Sequence, residues 1–259
     1  MQVSAPVMRA YHSDPTTKAS LIAQLEAHAR ADEIIKGRYW ENGKGCAVGC
    51  TVHSGEHALY ESLYEIPVML AHLEDRIFEG LPNERAKAWP IEFADAVQVG
   101  ADLSRVGWQF LYWLITDEVV NPGISHPIVK EPVARCASIM KAKGEGQEVT
   151  ASAASAAWSA EDSAAWIAAR SAEWIAASAA SAARSAVESA AITARSAASA
   201  ASAARSAAIT AITARSAARS AAITARSAAS AARSAADSAE SAAYVLMADK
   251  LLEILKAST

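Results

Sequence analysis

Two cysteines and two histidines lie close together in the first quarter of the chain, as Cys46, Cys50, His53 and His57. Two thiolates and two imidazoles are the ligand set of a tetrahedral structural zinc site. On one straight helix, however, these four positions would extend over roughly 16 Å, which is too far for one ion. The sequence therefore predicts zinc binding only if the Cys pair lies on a turn that folds back onto the His pair.

The same segment allows other interpretations. Cys46 and Cys50 are also typical of small buried apolar residues, with His53 and His57 on a partly polar surface. A redox pair or a reactive thiol is a third interpretation. The glycine-rich stretch ENGKGCAVGCT could also present backbone N–H groups, assisted by Lys44, to an anion.

No pattern in the chain predicts a catalytic site. His72, Glu74 and Asp75 in AHLEDRIF are acid–base groups, but on a helix they are typical of a solvated face. The sequence contains no nucleophile elbow, paired-acid motif or dinucleotide fingerprint. We therefore expect a non-enzymatic protein whose only cofactor would be zinc.

The elements that position these residues are predicted to be helices. The stretch HSDPTTKASLIAQLEAHAR offers Ser13 or Asp14 as an N-cap ahead of Pro15, and Gly37 is the expected stop. The segment ENGKGCAVGC should form a loop or tight turns, because Gly43, Gly45 and Gly49 weaken regular elements. Further helices are expected at 54–64, 67–80, 102–120 and 129–143, with a broken helix around Pro90. Residues 1–145 are apolar enough to fold as a compact, mostly helical domain.

Three stretches of this domain carry a resemblance. GKGCAVGCTVHS, LEDRIFEGLP and GADLSRVGW are similar to segments of uncharacterised bacterial and phage-type proteins that also end in Ser/Ala repeats. The resemblance covers the whole chain and implies a bacterial or phage origin. It implies no function.

Residues 146–259 are predicted to form a second region, a long Ala/Ser-rich helix or helical hairpin. Of the 93 residues from 151 to 243, 45 are Ala, the best helix former, and none is Gly or Pro. Ser or Thr recurs from 178 to 241 with a mean spacing of 3.5 residues, the coiled-coil period. The residue just before each of these Ser or Thr positions carries most of the large side chains. The helix therefore has one stripe of Arg and Ile, and the rest of its surface is formed by small side chains.

The two ends of this region differ from its middle. Trp158, Trp166 and Trp174 recur every eight residues and are expected to anchor helix packing. At the other end, 244–257 is amphipathic and should act as a C-terminal anchor. Because Ala and Ser allow close helix approach, we expect the repeat to associate with itself or with a partner protein.

Charge and composition limit the remaining functions. The net charge is −4, and residues 151–243 carry eight Arg and six acidic residues, which leaves an acidic N-terminal part and disfavours nucleic-acid binding. The chain shows no signal peptide or membrane span, and its three Cys form no disulfide framework, so we expect a cytoplasmic protein. Two alternatives to an interaction protein remain: a metal- or small-molecule-binding helical head with an oligomerising tail, and ice binding through the regularly spaced Thr.

Overall fold

The computed structural model describes residues 7–121, 124, 127–149 and 208–259. These residues form eight α-helices and one two-stranded antiparallel sheet, which confirms the predicted all-α fold. The helices are α1 (Pro15–Arg30), α2 (Ala47–Val52), α3 (Leu59–Tyr64), α4 (Val68–Gly80), α5 (Asn83–Ala96), α6 (Val106–Thr116), α7 (Pro127–Gly144) and α8 (Ala208–Ala257); the strands are β1 (Trp40–Glu41) and β2 (Lys44–Gly45).

The chain divides into two compact units. The first comprises Met1–Trp166 together with Ser241–Thr259, and the second comprises Ile167–Glu240. In the first unit α1 packs on α2 and α5, α4 packs on α2, α5 and α6, and α6 packs on α7. The largest fully buried side chains of this unit include Trp89, Tyr11, Tyr60, Phe78, Phe93 and Phe110.

Helix α1 begins as the sequence predicts but ends earlier. Asp14 is its N-cap and accepts a 2.8 Å hydrogen bond from the Thr16 N–H. The helix stops at Arg30 and not at Gly37. The reason is a competing backbone pairing, because the Ile35 N–H donates to the Gly45 carbonyl at 2.8 Å and the Gly45 N–H donates to the Glu33 carbonyl at 3.0 Å.

The glycine-rich segment is more regular than the sequence predicts. Asn42 and Gly43 both have positive φ and connect β1 to β2, as in a tight hairpin turn. Gly45 lies in β2 and Gly49 lies inside α2. A Cβ at Gly45 would lie 1.9 Å from the Tyr39 carbonyl oxygen, and one at Gly49 would lie 1.4 Å from it. These two glycines therefore allow close backbone approach and do not mark a loop.

Helix α5 runs through Pro90 without the predicted break. Proline removes one backbone hydrogen bond from a helix interior, which costs roughly 3 kcal/mol in an isolated helix. Here Trp89, Pro90 and Phe93 are all buried, and this burial offsets the cost. The Trp89 Nε1–H also donates to the Glu74 carbonyl at 3.0 Å, which ties α5 to α4.

The C-terminal end of α8 joins the core of the first unit. Tyr244, Ala248, Leu251 and Leu255 are buried in it. The Tyr244 ring occupies the space beside Gly80, where an added Cβ would lie 2.2 Å from a ring atom. The amphipathic pattern of 244–257 is thus used to bury one helix face.

In the second unit the structure describes the part of α8 that precedes Ser241. Its half-buried positions between 221 and 236 are all alanines: Ala221, Ala225, Ala229, Ala232 and Ala236. The large side chains point outward, and Ile223 is 62% exposed. The predicted Trp158, Trp166 and Trp174 anchors lie outside the described residues, as does the repeat up to residue 207. None of the described helices has the length and apolarity needed to cross a membrane.

Candidate metal centre

The structure distributes the four predicted zinc ligands over three environments, because Cys46 and His57 lie beside Asp75 while Cys50 and His53 each lie elsewhere. Cys46 faces helix α4, where its Sγ lies near Asp75 and Glu79. Cys50 points into the core beside Gly45. His53 and His57 each contact a different second histidine, His28 and His72 respectively.

Cys46 is held at the start of α2 by its backbone. It is the N-cap residue of that helix, and its N–H donates to the Arg38 carbonyl at 2.7 Å. The close approach of the Tyr39 backbone to Gly45 and Gly49 therefore fixes the backbone position of Cys46. The residue is 1% exposed, so its thiol is shielded from solvent.

Helix α4 supplies two carboxylates to the same place. Asp75 and Glu79 are four residues apart and so lie on one helix face. Cys46 Sγ, one Asp75 oxygen and one Glu79 oxygen all lie within 4.8 Å of one another. Across a tetrahedral zinc ion such atoms are roughly 3.4–3.7 Å apart, so a small contraction would bring them to bonding distance.

The two carboxylates are oriented by different donors. Glu79 accepts from the Gly37 N–H at 3.0 and 3.2 Å. Asp75 Oδ2 lies 3.3 Å from His57 Nε2, and the His57 ring stacks on His72 with centroids 4.1 Å apart. Among the described residues, His57 is the only ion-pair partner of Asp75, and Glu79 has none.

The electrostatics of this cluster favour a bound cation. Burial, followed by the nearby Asp75 carboxylate, raises the pKa of the Cys46 thiol to about 12. Asp75 is also the main cause that raises the pKa of Tyr39. The Asp75 carboxylate contributes to both shifts, and a divalent ion at this place would neutralise that charge and displace the thiol proton.

Cys50 fits the interpretation of a small buried residue. Its Sγ lies 3.4 Å from the Gly45 carbonyl and 3.8 Å from the Glu33 carbonyl. Burial raises the pKa of this thiol to about 12. Like Cys46 and Cys136, it forms no disulfide.

His53 belongs to a separate cluster with His28, Glu33 and Trp40. His53 Nε2 lies 2.9 Å from His28 Nε2, and His28 Nδ1 lies 2.6 Å from Glu33 Oε2. The His53 ring stacks on Trp40 with centroids 4.5 Å apart. His53 itself has a left-handed backbone conformation, with φ of 51°, where it caps α2.

Glu74 is buried and does not lie on a solvated face, in contrast to the prediction from AHLEDRIF. It is 1% exposed, and Tyr60 donates a 2.6 Å hydrogen bond to its Oε2, while its Oε1 has no partner among the described residues. Burial raises the pKa of Glu74 to about 8. The helix turns this carboxyl inward and leaves Asp75 beside it on the outer side.

The sequence prediction includes Cys46 among its candidate ligands and does not include Glu79. The helical Asp–x3–Glu spacing in α4 was a signal, but such pairs are common on solvated faces. Only the approach of α2 to α4 gives the pair a thiol partner. No protein-family model, curated protein or solved structure matches this chain.

Proposed function

We propose that the first unit binds a divalent transition-metal ion, with zinc as the best fit, through Cys46, Asp75 and Glu79. The observation that carries this proposal is the convergence of one thiol sulfur and two carboxylate oxygens within 4.8 Å, drawn from the N-cap of α2 and from α4. His57 acts on Asp75 as a supporting residue. This ligand set replaces the predicted Cys46, Cys50, His53 and His57 set, with Cys46 in common.

The donor types restrict the ion. A thiolate selects zinc or another borderline or soft metal, whereas calcium and magnesium prefer oxygen-only sites. Three protein ligands would leave a fourth position for water or another ligand. The Asp75 side chain is 17% exposed, so an ion could enter the site from the Asp75 side, while Cys46 is the buried ligand. A reduced Cys46 is needed, in keeping with the cytoplasmic location expected from the sequence.

The direct test is the metal content of the purified chain and its cobalt spectrum. We expect tightly bound zinc in the loaded chain, with one ion per chain lost in Cys46→Ser. Replacement by cobalt should give the near-ultraviolet thiolate-to-cobalt band, because that band requires Cys46 Sγ as a ligand. Cys46→Ser should abolish the band and Asp75→Asn should lower the affinity.

Matched variants control for general effects. Cys136→Ser removes a half-exposed thiol on α7, and Asp95→Asn removes an exposed carboxylate; neither should change the cobalt spectrum. A cobalt band that survives Cys46→Ser, or the absence of any tight ion in the wild-type chain, would contradict the proposal.

A second candidate function is association through α8, either with another copy or with a partner protein. The observation that favours it is the stripe of exposed large side chains at Arg219, Ile223, Arg226 and Arg233, opposite half-buried alanines. The arginines of this stripe would complement an acidic surface on a partner. This role is compatible with metal binding by the first unit.

Sedimentation analysis tests this candidate. If α8 mediates self-association, the wild-type chain should sediment as an oligomer that dissociates on dilution, and Ile223→Ser with Arg226→Glu should shift it to the monomer. Ala222→Ser, an exposed change on the same helix, should leave the distribution unchanged. A monomer at all concentrations would exclude self-association and leave only a partner protein.

A further inference from the structure

We infer that His28 and His53 form a second metal site, one that holds a divalent transition-metal ion through two imidazole nitrogens. The two Nε2 atoms face each other at 2.9 Å although the residues are far apart in sequence, on α1 and at the end of α2. The site is distinct from the Cys46 cluster and does not depend on it. It lies at one end of the loop 53–57, and His57 lies at the other end.

Glu33 prepares His28 for metal binding. Its Oε2 lies 2.6 Å from His28 Nδ1, and a carboxylate can only accept a hydrogen bond. The proton of a neutral His28 therefore resides on Nδ1, and its Nε2 keeps a lone pair directed at His53. A carboxylate behind a histidine in this way is the usual supporting arrangement of a metal-bound imidazole.

His53 is held in place by the surrounding structure. Its ring stacks on Trp40 at 4.5 Å with an interplanar angle of 26°, and the Trp40 ring also meets His28 edge to face at 5.4 Å. Its positive φ is unfavourable for a residue with a side chain, and such strain is concentrated at functional sites.

The spacing fits a metal after a small adjustment. Two imidazole nitrogens bound to one tetrahedral zinc are roughly 3.3–3.4 Å apart, about half an ångström more than here. Without metal, His53 Nε2–H donates to His28 Nε2. With metal, the His53 proton moves to Nδ1, and both Nε2 lone pairs bind the ion. Imidazole ligands suit zinc, nickel and copper, and water or another ligand would complete the coordination.

Nickel titration of the full chain tests this site, because imidazole nitrogens suit Ni²⁺ and Trp40 lies against both histidine rings. We expect saturable binding to the His pair with quenching of Trp40 fluorescence, and loss of that quenching in Trp40→Phe. His53→Asn should remove one bound Ni²⁺ per chain. Asn tolerates the positive φ, so the fold should be retained. Glu33→Gln should weaken nickel binding about 10- to 100-fold.

The controls separate this site from the Cys46 cluster. His12→Gln changes a histidine that also contacts a carboxylate, Glu65, and should leave the number of Ni²⁺ ions unchanged. If Asp75→Asn loses its ion while His53→Asn binds as many as the wild type, the His pair is only a hydrogen-bonded pair and the inference is wrong. If His53→Asn does not fold, His28→Gln replaces it. Absence of saturable Ni²⁺ quenching in the wild-type chain would overturn the inference directly.

Discussion

The Tyr39 carbonyl oxygen lies 1.4 Å from the point that a Cβ on Gly49 would occupy. The same oxygen lies 1.9 Å from the corresponding point on Gly45, so the chain before β1 crosses directly over the start of α2. This crossing sets the position of Cys46 opposite α4. The candidate metal centre therefore depends on the absence of a side chain at Gly45 and Gly49 as much as on its ligands.

Gly49→Ala should strongly destabilise the first unit, since the neighbouring atom is backbone and cannot move aside cheaply. Overpacking of this kind costs about 1–3 kcal/mol and occasionally more, and we expect the upper end. The free energy of unfolding from urea denaturation in the presence of a chelator measures it. Gly55→Ala is the milder comparison, because its Cβ would lie 3.1–3.2 Å from atoms of the Tyr39 side chain, so this change should cost less. Equal stability of Gly49→Ala and wild type would show that the crossing is not tight.

Gly80→Ala should release the C-terminal end of α8 from the first unit. An added Cβ would lie 2.2–2.3 Å from three Tyr244 ring atoms, and the ring is closely packed there. We expect faster amide exchange over residues 244–257 and a destabilisation of about 1–3 kcal/mol. In a Tyr244→Ala background the same change should cost much less, since the clashing ring is gone. An additive double mutant would argue against this contact.

His57→Gln should weaken metal binding at Cys46, Asp75 and Glu79 without abolishing it. His57 contacts Asp75 Oδ2 at 3.3 Å and orients that carboxylate, and loss of such a supporting residue lowers affinity about 10- to 100-fold. Competition with a chromogenic chelator measures the change. The cobalt band should persist, because Cys46 is still present; complete loss of the band would make His57 itself a ligand.

Glu74 should make the metal-free protein less stable as the pH rises from about 4.5 to about 8. Its pKa of about 8 in the folded state lies above the ordinary 4.5, so the folded state keeps a proton that the unfolded chain loses in this window. Stability from this group is fully present below pH 4.5 and falls by up to about 1.4 kcal/mol per pH unit. The groups that face Glu74 are Tyr60, Tyr11 and Tyr64, with Asp75 adjacent.

Glu74→Gln checks this pH dependence. The amide is neutral at every pH and can still accept from Tyr60, so the unfolding free energy should lose its slope between pH 4.5 and 8 and exceed that of the wild type at pH 8. Glu56→Gln, an exposed change, should retain the slope. If the unfolding free energy of wild type and Glu74→Gln changed equally with pH, the pH dependence would come from another titratable group.

Local patterns in the sequence predicted several of the helices of this protein. Asp14–Pro15 predicts the start of α1, the apolar spacing of 67–80 predicts α4, and the absence of Gly and Pro after residue 146 favours the helix that α8 confirms from residue 208 onward. These features depend on residues within one or two turns of each other. The sequence also drew attention to the segment that contains Cys46 and His57.

Tertiary structure decided what those residues meet. Glu74 and Asp75 are neighbours on α4, yet the packing of Tyr60 and Trp89 buries one, while the other faces Cys46. The glycines that suggested a loop instead allow Tyr39 to cross α2, and Pro90 remains inside a helix because its side of α5 is buried. Each of these outcomes comes from contacts between residues distant in sequence, which composition and spacing do not encode.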